Sequence, residues 1–420
     1  MKISKRILVY SIVVIMITVF AGCSKKESNI ASENITIRMD QFSADRDKET
    51  VLREIIAEFN KTNPDITVDL QSFGYDDYFT QLQTKVVGGK AADIFELNFE
   101  NFVAYASEDV LYDISALMGD TSSFNTTALN AFRYGNRQYG IPNSFSNVVL
   151  IYNKDLFDRA GIPYPNNNWT WKDMEEAGIK IRALDRDIFG LVRPVTFHEF
   201  YKAARQSNSS LTGGGKFTVN TPQNIAALEE MVSWQSRTNI MPTAAQSGGM
   251  GPNWDWDLFK SGRLGMLVNG IWAFDDFKRN VTFPWDIAVE PGNPQKGTHF
   301  FSNAYVVNRD SKNPEPAVKL AVFLAGSKEA SRLRVEKMGD LPPVIDNDVL
   351  KAYLTITPPD NKQAVFDSLN YLVTPPVAEQ QSEMQDIISK YLELAVSGKE
   401  SAKNALDACQ KELEERIKLY

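Results

Sequence analysis

Apolar positions recur with a period of two in ITIRM, where Ile35, Ile37 and Met39 alternate with Thr36 and Arg38, and the segment reads as a strand. The period then lengthens. Between Lys48 and Asn60, Leu52, Ile55, Ile56 and Phe59 fall on one helical face, and Pro64 closes the segment. The two-residue period returns in ITVDL (Ile66, Val68, Leu70). A second helix follows, with Tyr78, Leu82 and Val86 on one face before Gly88-Gly89, and DIFEL supplies a third strand. Strand, helix, strand, helix, strand at these lengths predicts parallel pairing with right-handed crossovers. Ligands of such sheets sit beyond the carboxyl ends of the strands. Those ends are Gln41-Phe42-Ser43, Phe73-Gly74-Tyr75 and Asn98-Phe99-Glu100, which mix aromatic rings with neutral or acidic hydrogen-bonding groups and carry no glycine-rich phosphate loop.

The middle of the chain continues in the same style. Gly135-Asn136 predicts a turn, Val148 to Tyr152 an apolar strand, and Lys154 to Ala160 a helix capped by Gly161. Thr170 with Asp173 three residues on predicts a capping box that opens a helix to about Leu184; Thr221-Pro222 opens another to about Arg237. In FKSGRLGMLVNGIWAF, Leu264, Met266, Leu267 and Val268 predict a buried strand, Asn269-Gly270 a turn, and Asp257 caps a helix ending at Ser261. AYVV returns as a strand, Glu315 to Ala325 as a helix, and the chain from Asp346 is almost wholly helical. The mixture is α/β, and 420 residues exceed what one core organises, which predicts two domains.

Charge and chemistry narrow the function. The formal net charge is −8, and an acidic body is a poor partner for nucleic acid. The basic start (Lys2, Lys5, Arg6) and the apolar run Ile7 to Phe20 read as a secretory signal over residues 1–22 rather than a membrane span, which needs about 20 apolar residues. The polar stretch 23–34 reads as a tether. The remaining cysteine, Cys409, shares a helical face with Leu406, Leu413 and Ile417 and reads as a small core residue. Two histidines, His198 and His299, lie far apart with no neighbour at metal-ligand spacing, so the sequence predicts no metal site and no cofactor. Asp45 and Asp47 lack the glycine and ligand count of a calcium loop, and no nucleotide-binding or hydrolase motif is present.

Several phrases carry a resemblance. MKISKRILVYSIVVIMITVFAGC ends like the lipobox of bacterial lipoproteins, which implies that Cys23 is lipidated and becomes the first residue of a membrane-anchored mature chain. FNKTNPDITVDL, GGKAADIFEL, YGIPNSFSNVVLIYNKDLFDRAGIPYP, WTWKDM, FKSGRLGMLVNGIWAF and GDLPPV occur in the order seen in the bacterial extracellular solute-binding proteins of family 1, the class that includes maltose-binding protein. The chain resembles that family over nearly all of its mature length. The resemblance implies a periplasmic-binding-protein-like fold of two α/β lobes joined by a hinge, with an interlobe ligand cleft. By analogy the first lobe takes residues 35–143 plus 300–343 and the second 144–297 plus 344–420. It further implies a monomer that binds a carbohydrate, an oligosaccharide, at the extracytoplasmic face of the membrane and delivers it to an ABC permease.

A sugar offers hydroxyls at its edge and C–H patches on its faces, so its site needs flat aromatic platforms ringed by planar donors and acceptors. Stacking half a Trp on a sugar removes roughly 100 Å² from water, worth about 2.5 kcal/mol. Trp272 is the leading platform, because the matching family position stacks on sugar in relatives and Gly270 lets the backbone bring the ring close; a core tryptophan is the competing reading. Trp254 and Asp255 in NWDWDLF, together with Gln41, Phe42, Asn98 and Glu100 after the first-lobe strands, are further candidates. Ser146, Arg193, Phe197, His198 and Tyr201 join through their positions in the family pattern, and Asn303 and Tyr305 on the returning strand complete the set. Trp169 and Trp171 are left to pack the capped helix. Two other functions stay open: a sensor or adhesion lipoprotein on the same fold, and a glycosidase built on Glu96, Glu100, Asp255 or Asp257, although no pair of these stands out as acid and base.

Overall fold

A computed structural model describes residues 34–42, 46–251, 253–338, 341–378 and 380–419. The signal segment, Cys23, nearly all of the tether, Ser43, the Asp45 and Asp47 side chains and the Gly339-Asp340 of GDLPPV lie outside the described residues. Nine strands form the main sheet: β1 Ile35–Gln41, β2 Ile66–Ser72, β3 Ile94–Asn98, β4 Gly140–Asn153, β5 Phe189–Val192, β6 Leu264–Gly270, β7 Trp285–Ala288, β8 Thr298–Val307 and β9 Leu372–Val373. Their order is β2-β1-β3-β8-β4-β6-β5, with β7 on β4 and β9 on β8. As the two-residue period predicts, β1 pairs in parallel with β2 and β3, and the crossovers are the helices α1 Arg46–Thr62 and α2 Tyr75–Val87. Helix α3 Phe99–Ser107 starts directly at the end of β3.

Two strands are shared between the halves of this sheet. β8 pairs with β3 on one side and β4 on the other, while the far end of β4 pairs with β6 and β7. The β4–β8 register slips between Asn303 and Ala304, so that Ser144 and Pro142 are their partners and Asn143 is passed over. The segment 141–146, at the lobe boundary the resemblance implies, is continuous strand. Apolar burial on both faces explains why Val148 to Tyr152 of β4 read as an unbroken apolar run. Val149 and Ile151 join the cluster of Leu267 and Ile287, whereas Val148, Leu150 and Tyr152 join Met266, Leu191 and Trp171 on the other face.

The remaining helices include α4 Lys154–Ala160, α5 Trp171–Arg182, α6 Phe197–Gln206, α7 Pro222–Ser236, α8 Trp254–Lys260, α9 Pro314–Gly326, α10 Gln381–Val396 and α11 Ala402–Arg416. Gly161 ends α4 in the left-handed region at φ 64°, and the Thr170–Asp173 capping box opens α5, both as the sequence predicts. A Cβ on Gly190 of β5 would lie 2.2 Å from the Gly178 carbonyl oxygen, so two glycines let α5 press onto the sheet. Cys409 is fully buried with Leu406, Leu413 and Ile417 in a helical cluster that also takes Phe197, Phe200 and Ile387. Two expectations are corrected. Asp257 lies inside α8 rather than capping it, because the helix already begins at Trp254, and its carboxylate pairs with Lys260 at 3.1 Å. Asn269-Gly270 are the last paired residues of β6, opposite Val149 and Val148, and the chain turns only in the single 3₁₀ turn Ile271–Ala273 that follows. Among the described residues no helix is long and apolar enough to cross a membrane.

Candidate functional site

Trp272 sits in that 3₁₀ turn, half-buried, with its ring back over the strand end. A Cβ on Gly270 would fall 1.9 Å from Trp272 Cζ3, so only a glycine leaves room for this folding back. The ring meets Phe301 edge-on, with centroids 5.0 Å apart and planes at 87°. Phe301 and Asn303 alternate along β8 as its more open positions, and Ser146 of β4 is the register partner of Phe301.

Phe301 in turn packs on His198, at 5.5 Å, and His198 meets His299 edge-on at 5.1 Å. Thr196 caps α6 by accepting from Glu199 N, which fixes the helix start and aims His198 across to α3. There Glu100 Oε1 lies 2.8 Å from His198 Nε2 and 3.7 Å from His299 Nε2, while Glu100 Oε2 accepts from Gln385 Nε2 at 2.8 Å. Burial opposes charge on His198, but the Glu100 carboxylate outweighs it and its pKa is raised. His299 is driven the other way, well below the usual range, by burial and by the His198 ring, and stays neutral. Tyr201 holds the opposite edge of His299: its hydroxyl bonds Nδ1 and also donates to the Val373 carbonyl at 3.4 Å. A cavity of about 310 Å³ opens beside Tyr201, Arg205, Thr212 and Val373.

Five of the sequence candidates thus gather in one place, Glu100, Ser146, His198, Tyr201 and Trp272, while Phe197, next to His198 on α6, is buried in the helical core cluster. A second group forms at the ends of β1 and β3. Phe42 packs edge-on against Tyr75 and Tyr78, Gln41 Nε2 donates to Ser72 Oγ at 2.8 Å, and Asn98 caps α3 by accepting from Asn101 N, with Tyr75 3.4 Å from its amide. Asn303 is the backbone partner of Asn98.

The other candidates lie elsewhere. Arg193 has no exposure and sits within a buried quartet: its Nε donates to Glu199 at 2.8 Å, its Nη2 reaches Glu290 at 3.2 Å, and Lys202 bonds both carboxylates at 2.7 and 2.8 Å. Its guanidinium lies 4.6 Å over the Trp171 ring, which itself donates to Gln206, so Arg193 ties α6 to the core rather than facing a cleft. Tyr305 is buried among first-half core residues and accepts from Arg334 at 2.9 Å. Trp254 and Asp255 open α8, half-buried, and Trp254 packs against the second-half core; burial raises the Asp255 pKa. His299, Phe301, Gln385 and Tyr75 are the residues at these sites that the sequence candidates omit. The alternation in THFFSNAY could have placed Phe301 beside Asn303; nothing local singles out Gln385.

Residues 44–331 match the model of the family described as bacterial extracellular solute-binding protein. An ABC substrate-binding protein from Listeria monocytogenes, in complex with cycloalternan, is 40% identical, with a TM-score of 0.87 over 91% of this chain and 99% of that one. The galactooligosaccharide-binding protein of Bacillus subtilis is 23% identical over 100% of this chain and 99% of its own. A solute-binding protein of Thermotoga lettingae bound to alpha-D-tagatose shares the fold at 21% identity, with a TM-score of 0.80 over 91% and 99% of the two chains. The chain belongs to the family of bacterial extracellular solute-binding proteins.

Proposed function

We propose that this protein is a lipid-anchored monomeric receptor that captures an oligosaccharide between its lobes and delivers it to an ABC permease. The observation that carries the reading is the meeting of Glu100, on α3 after the first strands, with His198, on α6 of the other half, beside the edge-on pair of Trp272 and Phe301. The same fold in the 40% identical Listeria protein, in complex with cycloalternan, supports a carbohydrate ligand. Solute touching both halves favours the closed form by the difference between its affinities for the two states. We place the lobes at 35–143 with 300–343 and at 144–297 with 344–420. The register slip at Asn143 and Asn303 supports that division, since such irregularities bend a ribbon locally. Val335 and Leu341, in the first of these ranges, pack with Phe145 and Tyr353 in the second-half core, so the returning segment passes between the lobes. Binding rather than catalysis is favoured because Glu96 and Glu100 are committed to Asn143, His198 and Gln385.

Calorimetric titration of the tag-free mature chain against a panel of oligosaccharides that includes cycloalternan tests the proposal. One glycan should bind, and Trp272→Ala should weaken it at least tenfold with the unfolding midpoint kept. Unchanged affinity in that variant would remove Trp272 from the site, and release of reducing sugar from the bound glycan would overturn the assignment as a receptor.

A further inference from the structure

The chain has two histidines, and the fold brings both to one carboxylate. We infer that Glu100, His198 and His299 form a zinc site assembled between the two halves of the molecule, with Glu100 on α3, His198 on α6 and His299 on β8. One ligand atom from each lies within 4.8 Å of the others. Zinc bonded at about 2.0–2.1 Å in a tetrahedron holds its ligand atoms roughly 3.4 Å apart, and the Glu100 Oε1 distances of 2.8 and 3.7 Å to the two ring nitrogens bracket that spacing. Two imidazoles and a carboxylate are a ligand set that zinc takes with a water or a ligand oxygen in the fourth position.

The surroundings are those of a metal ligand set. His299 is 1% exposed, and its Nε2 has no hydrogen-bond partner among the described residues. With the Tyr201 hydroxyl proton on the Val373 carbonyl, the hydroxyl can accept from His299 Nδ1, and in that tautomer the lone pair is on Nε2, on the side of Glu100. Gln385 donates to the second oxygen of Glu100 and leaves Oε1 for the ion. The ion takes the place of the contact between Glu100 Oε1 and His198 Nε2, and it joins the halves without solute. That last point rests on the proposed two-lobe receptor; the site itself rests on the side-chain positions alone.

Zinc binding to the tag-free chain lacking residues 1–23 is measured by competition with a chromophoric chelator, alongside magnesium, and by the visible ligand-field bands of cobalt in place of zinc. One zinc per chain and no magnesium are expected, and His198→Ala and Glu100→Gln should each weaken zinc at least tenfold. His198 is 32% exposed while Glu100 is buried, and the unfolding midpoint of each variant without zinc separates loss of the site from loss of the fold. Small-angle scattering should show zinc compacting the wild type and not His198→Ala. Absence of saturable zinc uptake, or uptake equal in wild type and His198→Ala, would overturn the site. Oligosaccharide titration of the same samples separates the two proposals. Sugar binding without zinc uptake refutes the metal site and leaves the receptor; zinc uptake without sugar binding supports the site and counts against the receptor.

Discussion

Replacing Lys202 by Met tests what holds α6, and with it His198 and Tyr201, in place. The quartet of Arg193, Lys202, Glu199 and Glu290 is charge-balanced, and both cations are without exposure. Lys202 contributes two contacts, at 2.7 and 2.8 Å, each carrying roughly 6 kcal/mol of attraction at an effective dielectric of about 20. Most of that offsets the desolvation of the ammonium. Removing it leaves a buried excess of negative charge, for which about 3–5 kcal/mol of destabilisation is expected. Burial already raises the Glu290 pKa, and Lys202 is the strongest influence lowering it, so in Lys202→Met this carboxyl should take up a proton. A raised carboxyl pKa favours the folded state at low pH and loses that contribution as pH rises through the folded value, so the penalty should be larger at pH 8 than at pH 5.5. Urea unfolding followed by tryptophan fluorescence at both pH values measures it. Lys202→Met/Glu199→Gln, which restores balance with Arg193 and Glu290, should recover more than half of the loss. A single-variant cost below about 1 kcal/mol, or a larger penalty at the lower pH, would refute the reasoning.

Gly270→Ala should destabilise by about 1–3 kcal/mol and weaken glycan binding, because the new methyl occupies the place of the Trp272 ring; Gly270→Ala/Trp272→Ala should regain stability but not affinity, by thermal melt and calorimetry. Lys362 is buried with its Nζ on the Tyr353 carbonyl and 4.3 Å over the Tyr353 ring, and burial, then Lys278, pushes its pKa down to about 8. Unfolded chains keep that proton to about pH 10.4, so wild-type stability should climb relative to Lys362→Met from pH 8 to 10; parallel melting curves would show the reasoning wrong. Cys23→Ser should move the protein from the membrane fraction to the medium and abolish labelling by a palmitate analogue, and continued membrane retention would argue against the anchor.

Much of the fold is legible because its signals are local. The alternation of Ile35, Ile37 and Met39, the Thr170–Asp173 box and the Gly161 stop are each read within a few residues, and the structure has each of them. The site is less legible because polarity does not say what a side chain will meet. Arg193 is a binding candidate by its place in the family pattern, but the carboxylates that bury it come from α6 and from Glu290, just past β7. Spacing arguments hide His198 and His299 from each other because β8 returns from the far half to bring them together. Gln385 reaches Glu100 from 285 positions away, which no period records. Gly270 is the opposite case: its neighbourhood in Asn-Gly-Ile-Trp announces a close approach of ring to backbone, though not that the strand runs through it.

The strands β4 and β8 pair with each other from Gly140 to Asn147 and belong to both halves of the sheet. A hydrogen-bonded ribbon can twist and flex, but sliding by one residue would turn every side chain to the opposite face. The two halves therefore have rotational freedom and almost no translational freedom, like jaws on a shared leaf spring. In the receptor proposed above, any closure would bring His198 back to the same carboxylate, with the register held by the ribbon that also carries Ser146 and Phe301.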